Sequence, residues 1–326
     1  MQKNSLGISG KTVLVTGASG YIGAALVKEL IKNSCEVIRV SRYKLAAIDG
    51  TRDFIADISK RDSWSKIVSE AEVIYHLAGN TSVNLANENP KDNRESTVSP
   101  IEHLYSELLK QDKHLRIIFS STATVYGLTT HFPVAETERP NPLTIYDRHK
   151  LLAENQLLLV NEQTKAECVI LRLANVYGPS ERESTSGDRG ILNRITKMAL
   201  GGKDPIVFGN GTYMRDYIYI NDVINALLLA GSSQNIDGQV FNVGSGIGRT
   251  VKDAFEAVSK GVWEISNIRT DVQFQPSPEG TDTIDFRNYV ADTRRFRSAT
   301  GWEALIDFES GISLMINDFY RKMKVQ

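Results

Sequence analysis

The chain reads as an α/β protein built on a doubly wound parallel sheet with a smaller C-terminal lobe. Three observations predict this. Short apolar runs alternate with helix-patterned stretches through the first half, and a glycine triplet lies between the first run and the first helix. After residue 175 the alternation gives way to short elements punctuated by glycine.

The first run, Lys11–Thr16, ends in glycine, and Ile22, Leu26 and Leu30 then fall four apart on one helical face. Further strands are expected at Glu36–Val40, Asp53–Ala56, Val73–Leu77, Leu115–Ser120 and Glu167–Leu173. Helices fill most intervals, among them Arg94–Lys110 and Tyr146–Asn161. Gly178-Pro179, Ser184–Gly187, Gly201-Gly202 and Gly209–Gly211 mark the looser region, within which Asp216–Ile220 and Gln239–Val243 read as buried strands returning to the sheet.

A formal net charge of -1 without any dominant basic block gives no electrostatic case for a nucleic-acid or anionic-membrane partner. Cys35 and Cys168 stand far apart, outside any metal-ligand spacing, so neither a disulfide framework nor a metal site is expected. Met1–Gly10 lacks the pattern of a secretion signal and no apolar run is long enough to span a bilayer, which points to a cytoplasmic protein.

Gly17, Gly20 and Gly23, with Ser19, Tyr21 and Ile22 between them, sit where a strand turns into a helix. Missing side chains let a pyrophosphate approach the backbone there, and the helix N-terminus stabilises its charge. At the end of the second strand, where a carboxylate ordinarily accepts the adenosine ribose hydroxyls of NAD, this chain has Ser41 and Arg42. A hydroxyl and a guanidinium suit a 2′-phosphate, so NADP is favoured over NAD.

Ser120-Ser121-Thr122-Ala123-Thr124-Val125-Tyr126-Gly127 closes the fifth strand, and Tyr146 and Lys150 follow four apart on one helical face. Hydride transfer at a carbinol or ketone needs a matching proton transfer at oxygen. A phenol, titrating ordinarily near ~10, performs it once a cation stabilises its anion. Tyr146 is therefore the expected acid/base, Lys150 the stabilising cation that also holds the nicotinamide ribose, and Thr122 the hydroxyl that orients the substrate oxygen.

With these motifs in place, the chain resembles the extended short-chain dehydrogenase/reductase superfamily, and within it the nucleotide-sugar epimerases and dehydratases, over nearly its whole length. The glycine loop and Tyr146-Asp147-Arg148-His149-Lys150 carry the resemblance, as does Phe119–Gly127, which is similar to the catalytic segment of UDP-galactose 4-epimerases. The resemblance implies a Rossmann-type sheet whose cofactor meets Asp57 and Ile58 at the adenine and Leu77, Ala78 and Gly79 after the fourth strand. It implies sugar-diphosphate contacts from Asn175 in Leu171–Pro179 and from Arg215 in Met214–Asp222, with Arg287 as a further contact although the usual Arg-Pro-Gly-Asp wording is absent. The dinucleotide-binding domain then covers 1–175 with returns at about 216–245, and the nucleotide-sugar lobe covers 176–215 and 246–326.

Dehydratases of this group carry Thr-Asp-Glu where this chain has Thr122-Ala123-Thr124, which disfavours dehydration. The favoured reading is an NAD(P)-dependent epimerase that oxidises the sugar transiently at carbon 4. A 4-keto nucleotide-sugar reductase using NADPH is the alternative, and a non-catalytic dinucleotide sensor would leave Thr122, Tyr146 and Lys150 without purpose. The resemblance also implies a homodimer through the helices at 94–110 and 146–161, with Leu104, Leu108, Leu152 and Leu159 as contacts. Sugar specificity is expected to lie in Asn80–Asn93, in Ser180–Arg189 and in the C-terminal lobe.

Overall fold

The computed structural model describes residues 7–179, 190–281 and 283–325, so the Ser180–Arg189 loop and the turn at Ser184–Gly187 lie outside the described residues. The chain opens with β1 (Thr12–Thr16), α1 (Tyr21–Lys32), β2 (Glu36–Ser41), β3 (Thr51–Ile55), α2 (Arg61–Glu70) and β4 (Val73–His76). Helices α3 (Val83–Glu88), α4 (Pro90–Thr97) and α5 (Ser99–Leu108) lead to β5 (Leu115–Thr122), α6 (Ile145–Gln163) and β6 (Ala166–Leu173). Then come β7 (Asn175–Tyr177), α7 (Ile191–Leu200), β8 (Ile206–Phe208), β9 (Met214–Tyr219), α8 (Ile220–Ser232), β10 (Gln239–Val243) and β11 (Gly248–Thr250). The chain closes with α9 (Val251–Ser266), β12 (Gln273–Gln275), α10 (Arg294–Thr300) and α11 (Phe308–Val325).

Seven strands form one parallel sheet in the order β10-β6-β5-β4-β1-β2-β3. Strand side chains alternate between its faces, so Val13 and Val15 of β1 join a core with α1 and α8, while Leu14 joins another with α2, α5 and α6. The order reverses at β1, which pairs with β2 on one side and β4 on the other. Loops leaving the carboxyl ends of β1 and β4 diverge there and open a crevice.

Two expectations are corrected. Arg94–Lys110 is not one helix: α4 ends at Thr97 and α5 begins at Ser99. Pro100 lacks the N–H that a continuous helix would use, and its ring would collide with the carbonyl of Ser96. Nor does the strand expected at Asp216–Ile220 return to the large sheet. As β9 it is the middle strand of a three-stranded sheet, β11-β9-β7, whereas β10 does return and pairs with β6. A short parallel pair, β8 and β12, completes the lobe.

Buried carboxylates tie the parts together. Asp216 accepts hydrogen bonds from the Ser245 amide and hydroxyl and from the Gly246 and Ala291 amides, all within 3.0 Å. Asp222 accepts the Leu305 and Ile306 amides at 3.1 Å and so holds the segment before α11. On α6, Glu154 receives Arg172 of β6 at 2.6 Å and the Ser121 hydroxyl of β5, joining three elements inside the protein. Glu154→Ala would leave the Arg172 cation buried without its partner, and we expect a stability loss of about 3–5 kcal/mol, read as a lower urea midpoint at unchanged slope.

Candidate active site

A cleft of about 1590 Å³ runs over the carboxyl ends of the sheet strands and continues under the lobe. At one end lies the glycine loop. Gly17 has φ +70°, and a Cβ there would stand 2.8 Å from the Ala78 amide nitrogen, so β1 and the segment after β4 meet backbone to backbone. A Cβ on Gly23 would lie 2.1 Å from the Gly17 carbonyl oxygen, which makes glycine necessary for the first turn of α1 to pack under the loop. Gly20 is the N-cap of α1, with no side-chain cap and no acidic residue in the first turn. The positive helix end suits a dinucleotide pyrophosphate.

Ser19, Tyr21, Ile22, Ser41, Arg42, Asp57, Ile58, Leu77, Ala78 and Gly79 all line this cleft. Ser59 donates to Asp57 through its amide at 3.0 Å and its hydroxyl at 2.8 Å. Burial raises the Asp57 pKa, but those bonds with the charges of Lys60 and Arg42 bring it below its usual value. Tyr21 donates to the Gly178 carbonyl at 2.7 Å, fastening the start of α1 to the crossing between sheet and lobe.

Thr122, Tyr146 and Lys150 line the middle of the same cleft. Tyr146 and Lys150 are one turn apart on α6 and only 3% and 4% exposed. The Lys150 ammonium donates to the Ser120 carbonyl at 2.9 Å and lies 4.6 Å from the Phe119 ring centre. Tyr146 occupies the first turn of α6, near the positive end of the helix dipole.

Sequence reasoning alone misses the polar support beneath Thr122. Its hydroxyl lies 2.9 Å from that of Thr124 and accepts the Thr124 amide at 3.2 Å. Thr124 in turn donates to Asp147, whose carboxylate also accepts the Thr144 hydroxyl at 2.7 Å. Thr144 and Asp147 form the capping box of α6, a pattern visible as Thr-x-x-Asp in the sequence.

Thr16 and His76 form a second support, with oxygen and Nδ1 2.9 Å apart and the Ala78 amide donating to the same hydroxyl at 3.2 Å. Burial, and then the charge of Lys150, push the His76 pKa down to about 3. The unfolded chain therefore binds a proton between about pH 6.5 and 3 that the folded chain refuses, and stability falls as pH drops through that window.

At the far end, Asn175 opens β7 just after the chain leaves the large sheet, and its amide donates to the Asp216 carbonyl at 3.0 Å. Arg215 is buried, its guanidinium donating to the Asp285 carbonyl at 2.5 Å and the Met214 carbonyl at 3.2 Å, over the Tyr213 ring. Burial lowers its pKa against the opposing influence of Tyr217, Tyr213 and Asp285, and it lines the cleft. Arg287 lines the same end and donates to the Ile284 carbonyl at 3.1 Å.

The match to known proteins covers both halves of this cleft. The model of the NAD dependent epimerase/dehydratase family matches residues 13–244. The chain belongs to this family. A putative UDP-glucose 4-epimerase of Methanocaldococcus jannaschii is 30% identical, the alignment covering 94% of this chain and 97% of that protein. The UDP-glucose 4-epimerase of Thermotoga maritima, solved with UDP-glucose, superposes with a TM-score of 0.83 at 30% identity, covering 97% of this chain and 100% of the other. That of Thermus thermophilus, solved with NAD, gives 0.82 at 26% identity over 95% and 99%. Among the described residues no helix is long and apolar enough to cross a membrane.

Two measurements check this geometry. Gly23→Ala forces the loop against the Gly17 carbonyl, and we expect cofactor affinity to fall at least about tenfold by calorimetric titration while the circular dichroism spectrum persists. The His76 ring resonances are expected to stay flat between about pH 5 and 8, and a titration near 6.5 would contradict the neutral buried ring.

Proposed function

We propose that the protein is a UDP-hexose 4-epimerase that works by transient oxidation at sugar carbon 4. The observation that carries this reading is one cleft with a dinucleotide cradle at one end, Thr122, Tyr146 and Lys150 in the middle, and the buried Arg215 at the other. Supporting it, the named relatives are UDP-sugar 4-epimerases.

Bound nicotinamide supplies the acceptor and donor of hydride at carbon 4. The chain's residues do the rest. Tyr146 takes the proton of the 4-hydroxyl as the carbon–hydrogen bond breaks and returns it when the ketone is reduced on its other face. Lys150 lowers the energy of the phenolate and holds the ribose hydroxyls. Thr122 orients the reacting oxygen, and Asn175, Arg215 and Arg287 anchor the diphosphate so that only the sugar turns over. In domain terms, we assign residues 1–175 with α8 and β10 to the dinucleotide, and 176–215 and 246–326 with β9 to the sugar nucleotide.

The cofactor admits a finer choice. Family membership and the NAD-bound neighbour speak for NAD, and the comparisons lend NADP no support. On the other side, Ser41 and the exposed Arg42 place no carboxylate at the end of β2, so a 2′-phosphate meets no repulsion from these two residues. Titration of both nucleotides, with Arg42→Ala alongside, decides it: NADP use requires a selective loss of NADP affinity in the variant.

Leu152 and Leu159 are exposed on α6, whereas Leu104 and Leu108, expected as intersubunit contacts, are buried in the monomer core and offer no surface to a partner. We assign the exposed α6 face to a homodimer, tested by light scattering of Leu152→Glu.

The reaction itself is tested by incubating the enzyme with UDP-glucose and UDP-galactose. Inversion without net cofactor change supports the epimerase, while stoichiometric NADPH consumption with a 4-keto sugar would replace it with a reductase. Tyr146→Phe is expected to keep cofactor affinity and to lose about 10²–10⁴-fold in turnover. Near-normal turnover in that variant would remove Tyr146 from the mechanism.

A further inference from the structure

Strand alternation puts Phe119 and Ser121 of β5 on the side of the sheet that α6 covers, and the two groups they meet there, Lys150 and Glu154, are one helical turn apart. Ser121 donates to Glu154, and the Phe119 ring lies under the Lys150 ammonium, with 4.6 Å between ring centre and nitrogen. Phe119 is wholly inaccessible and Lys150 only 4% exposed, so water does little to solvate this charge. The Ser120 carbonyl accepts from the ammonium at 2.9 Å. An aromatic face carries negative electrostatic potential and attracts a cation most strongly where solvent is excluded.

Phe119 belongs to a row of rings. His76 is its register partner on β4, and the two rings stack with centres 5.8 Å apart and planes 19° from parallel. Trp64 of α2 lies tilted against His76 at 5.9 Å and donates its indole N–H to the Ile58 carbonyl at 2.8 Å. Contacts from β4 and α2 thus fix the plane of the Phe119 ring. His76, kept neutral by burial and by the charge of Lys150, adds no positive charge to this row.

We infer that Phe119 is a positioning residue for the proton transfer, its π face holding the Lys150 ammonium at the point from which it stabilises the Tyr146 phenolate. The inference rests on the roles proposed for Tyr146 and Lys150. A lysine stem is flexible, and a different rotamer would move the charge relative to the phenol. The Ser120 carbonyl restrains the ammonium along one bond, and the ring restrains it from the side. Phe119 lies beneath the cleft and touches neither substrate nor cofactor in this scheme. Its effect is electrostatic, so it follows the electron density of the ring.

Replacing Phe119 with its mono-, di- and trifluorinated analogues drains electron density from the face at nearly constant shape, which separates electrostatics from packing. At neutral pH, with cofactor and UDP-glucose saturating, turnover is expected to fall stepwise along the series, by about three- to tenfold at the third fluorine, while KM and the thermal midpoint hold. The acid limb of the turnover profile is expected to move to higher pH in the same order, because a less well-placed cation leaves the phenolate harder to form. Phe119→Leu, apolar but without a π face, is expected to lose at least as much turnover. Should that variant fold poorly, the fluorinated series, which keeps the ring, still decides the matter. A wild-type enzyme that inverts the sugar, beside a fluorinated series with unchanged turnover and pH profile, overturns the role of Phe119. A wild-type enzyme that does not invert the sugar, or a Tyr146→Phe variant with near-normal turnover, overturns instead the reading on which that role rests.

Discussion

The contact on which the rest of this structure depends is backbone against backbone: Gly17 at the end of β1 lying on Leu77 and Ala78 after β4. No side chain larger than hydrogen fits between them. The approach occurs where the sheet order reverses, so it brings the divergent loops of two neighbouring strands to one point. Thr16 and His76 reinforce it with a buried hydrogen bond beneath the loop, and the Ala78 amide is satisfied by the Thr16 hydroxyl. The strand ends that carry Thr122 and Asn175 are then set by register, since Thr122 of β5 lies opposite Leu173 of β6.

Around that contact the protein uses buried charge to fix position. Glu154 and Arg172 are both nearly inaccessible, and the guanidinium also lies over Tyr126 at 4.7 Å. Such pairs add little net stability over an apolar substitute, yet breaking one strands a charge in a poorly polarisable interior. They therefore tolerate few alternative arrangements of β5, β6 and α6, the elements that position Lys150, Tyr146 and Thr122. Asp216 works likewise with main-chain amides, holding the turn after β10 and the segment at Ala291 to β9, beside Arg215. Arg215 differs in that, among the described residues, its hydrogen bonds go to main-chain carbonyls and its guanidinium lies over the Tyr213 ring.

Much of this was legible in the residues because the informative spacings are local. The glycine triplet marks one strand-to-helix junction, and helical periodicity alone puts Tyr146 and Lys150 on one surface. Apolar alternation located the strands but could not say which sheet receives them, and β9 joined the lobe through pairing with β7 and β11. The helix break at Val98 had a signal in Pro100, which an apolar pattern read by itself overrides. The link from Thr124 to Asp147 joins residues 23 apart in sequence, across a loop whose path no periodicity describes. Only its capping half, Thr144 with Asp147, could be read directly.

Rigidity of the frame and freedom of the sugar are compatible here because they reside in different groups. On the proposed reading, the diphosphate end faces the buried Arg215, and the acid/base pair is fixed on a nineteen-residue helix whose first turn is capped. What must change between the half-reactions is the orientation of the hexose alone. A site that gripped one face of the ring would favour one epimer and retard the return.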